Sequence, residues 1–146
     1  MVEVLIVVSV ITVSIIVALS VAQKSIYLAR QSLSQAKVAF LLEEGAEAAR
    51  IVRDNNWSNI SSLTLGTDYY LVFSGGTWTL SVAPSTVGIF TRKVVFSPAY
   101  RDVNQNLASS GTPDSQTVLV TVSVSWIDSG KNLSKTIQFY LTDLFS

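Results

Sequence analysis

Twenty consecutive residues, 4–23, carry no charge and are dominated by Val, Ile and Leu. A run of that length is enough to cross the ~30 Å hydrocarbon core of a bilayer as a helix. The rest of the chain is polar and rich in Ser and Thr, the composition of a water-exposed domain. At 146 residues the expectation is one domain attached to this segment. Lys plus Arg equals Asp plus Glu at 10 each, so net charge points to no nucleic-acid or polyanion partner. The chain has no Cys and no His. That excludes Cys/His zinc sites, Cys nucleophiles and a His general base. The expectation is a protein that is not an enzyme and needs no cofactor.

Glu3 is the residue that a simple apolar anchor leaves unexplained. A signal peptide carries a basic region ahead of its apolar run. Here Glu3 precedes the run and the first cation is Lys24. A carboxylate beside Val2, Val4 and Leu5 lies close to hydrocarbon, where ionisable groups are expensive and mark function. Its nearest conceivable partner is an N-terminal amine, on Met1 of the same chain or of a neighbour. An ion pair between subunits would offset the desolvation and fix their axial register.

The helical pattern continues past the apolar run. Ala22, Ile26, Ala29, Leu33, Ala36 and Phe40 alternate spacings of four and three, which is one stripe of a helix. The first Gly is Gly45 and the first Pro is Pro84. The pattern predicts a near-continuous helix over residues 2–53, roughly 75–80 Å long at ~1.5 Å per residue. Asp54, Asn55 and Asn56 read as its end, and Gly45 as a weak point costing ~1 kcal/mol against Ala. Residues 1–23 read as a transmembrane or core half-helix. Residues 24–54 read as an amphipathic half-helix packing on a sheet through Ile26, Ala29, Leu33, Ala36 and Phe40.

Residues 55–146 alternate with period two. Val118, Val120, Val122, Val124 and Trp126 share one face of a strand. Leu133, Ile137, Phe139 and Leu141 share one face of the next, across a loop at residues 128–132. Residues 69–74 and 77–83 flank Gly75-Gly76 as a second hairpin. Residues 89–97 make a fifth strand, and the polar stretch 100–116 reads as an exposed loop. The expected fold class is α+β: a long N-terminal helix packed on an antiparallel sheet.

The start Met1-Val2-Glu3-Val4-Leu5-Ile6-Val7-Val8 and the order of elements across the whole chain resemble type IV pilins and pseudopilins. Residues 43–57, 90–93 and 99–102 are similar to a subset of bacterial pilin-like proteins. Family members usually have four residues before the glutamate and this chain has two. The expectation is therefore a mature chain with two further residues ahead of Met1. Many pilins also carry a disulfide near the C-terminus, and this chain has no Cys. The resemblance implies a structural filament subunit, waiting in the bacterial inner membrane and extracted by pilus assembly machinery. It then polymerises into a surface pilus with roles such as adhesion or motility. Glu3 would meet a neighbour's N-terminal amine, often methylated, while Met1, Leu5, Val8, Ile11 and Ile15 pack between helices. The alternatives are a minor pilin or type II secretion pseudopilin, and a single-pass membrane-tethered binding domain.

Remaining motifs have plainer readings beside their functional ones. Asp102, Asn104 and Asn106 have the i, i+2, i+4 spacing of a calcium loop but lack its Gly and distant Glu, and read as a solvated turn. Asn56, Asn59 and Asn132 open N-x-Ser sequons. Trp57, Trp78 and Trp126 read as core. Arg92, Lys93, Tyr100 and Arg101 are too dispersed for a nucleic-acid site. Glu43, Glu44, Glu47, Arg50 and Arg53 read as a solvated helix face.

Overall fold

The structure, a computed structural model, describes residues 1–144. Helix α1 spans Val2–Asn55 and a short helix α2 spans Ser58–Ser61. Seven strands follow: β1 Asp68–Ser74, β2 Thr77–Ser81, β3 Thr86–Val87, β4 Phe90–Arg101, β5 Leu107–Ala108, β6 Thr112–Asp128 and β7 Lys131–Thr142. The class is α+β, as the alternation and the helical stripe predict. The chain divides into two compact units, Met1–Lys37 and a second beginning at Val38.

In the second unit the sheet runs in the order β2-β1-β4-β6-β7, with every pairing antiparallel. Its inner face is built by the period-two residues. Val118, Val120, Val122, Val124 and Trp126 of β6 stand between Phe90, Val94 and Phe96 of β4 and the inward side of β7. Both hairpins turn on residues with positive φ. Gly75 and Gly76 adopt 62° and 81° between β1 and β2, while Ser129 and Gly130 adopt 50° and 76° between β6 and β7. Two consecutive positive φ values match the right-handed twist of the strands they join.

Helix α1 covers this face from Val38 onward. Its buried residues are Val38, Leu41, Leu42, Gly45, Ala46, Ala48, Ala49 and Val52. Four of these eight are Gly or Ala, so the backbone itself approaches the sheet. Gly45 is the closest point: a Cβ there would stand 2.7 Å from Val122 Cγ1 and 3.1 Å from Arg92 Cδ. The glycine that reads as a weak point in the sequence is thus the residue that lets helix and sheet meet.

Within the second unit the stripe read from the sequence reaches only Phe40, which lies off this buried face. Phe40 is 72% exposed, and Ile26 and Leu33 are exposed as well. Ala29 and Ala36 are also exposed. From Val38 onward the helix contacts the sheet with a stripe in which Gly and Ala, underweighted by hydropathy, stand among Val and Leu. Phe40, which continues the visible apolar periodicity, is left uncovered by the sheet.

Two smaller differences lie at the ends of elements. The stretch 100–116 is not simply a loop: β4 continues to Arg101, β5 pairs with it, and β6 begins at Thr112. These pairs lie past the register shift at Pro98/Ala99. Backbone hydrogen bonds and the Arg101–Asp114 ion pair at 2.7 Å hold them, with little apolar alternation to reveal strand. The helix ends at Asn55, as expected, but α2 follows, opened by Asn56 Oδ1 accepting from the Ser58 backbone N–H at 2.9 Å. Ile60 of α2 is fully buried.

The strand β7 forms one edge of the sheet. Its inward side carries Leu133, Ile137, Phe139 and Leu141, together with Lys135, which pairs in register with the buried Val124.

Candidate functional site

The first unit, Met1–Lys37, is one helical segment with apolar side chains exposed on every side. Met1, Leu5, Val8, Ile11 and Ile15, the residues expected to pack between helices, are all at least half exposed. An 18-residue window of α1 has a mean hydropathy of 3.0 with none of it buried. By length and composition this helix is able to cross a membrane.

The hydroxyls of its apolar run are satisfied within the helix. Ser9 Oγ donates to the Ile6 carbonyl and Thr12 Oγ1 to that of Val8, both at 2.8 Å. Ser14, Ser20 and Ser25 each donate to the carbonyl four residues back at 2.8–2.9 Å. Such back-bonding removes the need for water at each hydroxyl. Backbone groups are paired by the helix itself, the condition for a segment that leaves water. Ahead of Lys24 the one charged side chain is Glu3, in the first turn. It makes no ion pair among the described residues. Its position near the helix N-terminus is favourable for a carboxylate, because unpaired N–H groups there carry partial positive charge.

The second unit holds a buried cation. Arg92 is 4% exposed, forms an ion pair with Glu44, and lies 5.1 Å over the centroid of the Trp78 ring. Its Nε has no hydrogen-bond partner among the described residues. Arg92 thus clamps α1 to β4 beside Gly45. Arg92 and Lys93, adjacent in sequence, face opposite ways, as neighbours on a strand do. Lys93 is on the outer face, paired with Asp68 at 2.9 Å. Arg101 pairs with Asp114, so these cations form no common patch.

The remaining candidates resolve into structural roles. Asp102 Oδ1 accepts the backbone N–H groups of Asn104 at 2.8 Å and Asn106 at 2.9 Å. The bond from Asn106, opposed by slight desolvation and aided by that from Asn104, holds the Asp102 carboxyl below its ordinary range. The carboxylate organises its own turn. Among the described residues no three His, Cys, Asp or Glu side chains cluster as metal ligands. Of the sequon asparagines, Asn56 bonds Ser58 and Asn59 Nδ2 donates to the Val52 carbonyl at 3.3 Å. Asn132 lies in β7, opposite Ile127. Trp126 is buried, while Trp57 and Trp78 pack half-buried against the core.

No protein-family model, curated protein or solved structure matches the chain. The arrangement itself, a long apolar N-terminal helix whose later part packs on an antiparallel sheet, is compatible with a pilin-like fold.

Proposed function

We propose that the chain is the structural subunit of a type IV pilus-like filament. The observation that carries this reading is Glu3, a lone acid at the head of a 20-residue run, 4–23, that is apolar on all sides and whose hydroxyls bond within the helix. Exposed apolar surface of this extent stays out of water at ~25 cal/mol per Å², so the segment exchanges lipid only for other apolar helices. Glu3 then pairs with the N-terminal amine of a neighbour, and that pair sets the register of packing through Met1, Leu5, Val8, Ile11 and Ile15. The subunit is drawn from a bacterial inner-membrane pool by assembly machinery and ends in a polymer of identical copies outside the cell. A minor pilin or secretion pseudopilin uses the same parts at lower copy number.

A membrane-tethered domain is the second reading, favoured by the same exposed apolar run. Glu3→Ala separates the two. In cells making the chain, sheared surface filaments and membranes are analysed by mass spectrometry. The filament reading expects wild-type chain in the filaments, and loss of at least ~90% of it there in Glu3→Ala with the membrane pool retained. Equal amounts in both fractions for wild type and variant would sink it.

A further inference from the structure

Helix α1 carries its charges in separate blocks. Between Glu3 and Glu43 the chain has no acid, and its cations there are Lys24, Arg30 and Lys37. Side chains on a helix meet partners three and four residues away. For Arg30 these are Ile26, Tyr27, Leu33 and Ser34; for Lys37 they are Leu33, Ser34, Phe40 and Leu41. Neither finds an acid, and neither makes an ion pair among the described residues. Both are exposed. They stand seven residues apart, about two turns, so they lie along one line of the first unit, next to the exposed Leu33.

The second unit presents the opposite sign. Glu43 is exposed and has Ala39, Phe40, Ala46 and Glu47 as helical neighbours. None is a cation. Glu47 is a like charge and already pairs with Arg50. Glu43 and Glu47 lie beside the exposed Phe40, while Val38, Leu42, Gly45 and Ala49 take the buried side.

We propose that Glu43 of one copy pairs with Arg30 and Lys37 of a neighbouring copy, making this part of α1 a heterologous contact that fixes the lengthwise stagger of subunits. The proposal rests on the filament reading and adds to it the surface and the offset. Charge complementarity names the occupant: the helix offers Arg30 and Lys37 on one side and Glu43 on the other, none with an opposite charge three or four residues away. The exposed Ile26, Leu33 and Phe40 supply the apolar area beside the charges. A contact between different patches on identical copies propagates instead of closing on itself, the geometry of an open helical polymer. The sequence separations are 43 − 37 = 6 and 43 − 30 = 13 residues. Parallel copies are therefore offset by 6 to 13 residues of helix sequence. Anionic lipid headgroups also attract cations just beyond an apolar span, but they leave Glu43 without a role.

Charge reversal tests this in cells making the full chain, reading sheared filaments against the membrane fraction. Glu43→Lys is expected to lower filament yield at least tenfold with the membrane pool within twofold of wild type. Combining it with Arg30→Glu and Lys37→Glu is expected to restore at least a third of the yield. Because the chain has no Cys, Glu43→Cys with Lys37→Cys gives a second measurement that tolerates weakened assembly. Oxidised filaments should show covalent ladders, and either single variant should not. Wild-type filaments with normal yield from Glu43→Lys, no restoration and no ladder overturn the stagger while leaving the filament reading intact. Loss of the chain from membranes in Arg30→Glu/Lys37→Glu, with Glu43→Lys silent, assigns the cations to lipid and also overturns it. Absence of wild-type chain from filaments removes the filament reading and this contact together.

Discussion

Leu19 and Leu42 belong to the same helix, yet Leu19 is 58% exposed and Leu42 is 6% exposed. The residues around each explain the contrast. Near Leu19 the neighbours are uncharged and exposed on every side, Ile15, Ile16, Val17 and Val21 among them, so no face is distinguished. Near Leu42 the helix alternates small buried residues with charged exposed ones. Glu43, Glu44 and Glu47 stay out while Gly45, Ala46, Ala48 and Ala49 go in. The first region is made for an environment it does not itself contain. The second carries its own environment, a sheet whose inner face is complementary at the level of single methyl groups.

The comparison is most easily broken with truncations of similar kind in each region. Phe96 is fully buried on β4. Phe96→Ala should cost about 3–5 kcal/mol of stability, through lost burial and a cavity. Leu19→Ala should move the same unfolding transition by less than ~0.5 kcal/mol, as surface changes do. Urea titration of the full chain in detergent, followed by tryptophan fluorescence, measures both. Equal effects would mean that the first region also draws its stability from the sheet.

A smaller effect sharpens the boundary between the two modes. Alanine is the better helix former by ~1 kcal/mol, so Gly45→Ala in a region like the first would stabilise. Against Val122 Cγ1 at 2.7 Å the added methyl should instead destabilise by about 1–3 kcal/mol, as overpacking does. Val122→Ala in the same chain should recover part of that loss. A higher urea midpoint for Gly45→Ala alone would show that the sheet yields to the helix.

The smallest expected effect is on pH. The Asp102 carboxyl is held below its ordinary value by bonds from backbone N–H groups. Its contribution is therefore present above the unfolded value of ~3.9 and is lost as pH falls through the folded one. Amide signals of Asn104 and Asn106 should move below pH ~4 while those of β6 hold. Asp102→Asn should flatten that titration in NMR, with little change in the urea midpoint.

Much of this was legible in residue order. Period two marked the inner faces of β6 and β7 and the Gly75-Gly76 hairpin, because a half-buried strand must alternate. The helix end at Asn55 was legible because Asp54, Asn55 and Asn56 break a long helical pattern. The phase of the buried helix face was not. Hydropathy counts Ile26, Leu33 and Phe40 heavily and Gly45, Ala46 and Ala49 lightly, whereas close packing on a sheet selects the small residues. Arg92 was misplaced for a related reason. A cation reads as surface unless Glu44 and Trp78, distant in sequence, are known to meet it. The extended ends of β4 and β6 were hidden because backbone pairing leaves no apolar trace.

The edge strand β7 bears on how such a chain avoids strand-to-strand aggregation. An uncovered edge offers a row of free backbone groups on which another strand can grow, the route to amyloid-like stacks. Lys135 stands on the inward side of that edge. A copied strand added in register would stack ammonium groups beside one another next to the core. Sheet-to-sheet growth is thus penalised at its first step, and uncontrolled aggregation is disfavoured in a molecule that exposes so much apolar surface elsewhere.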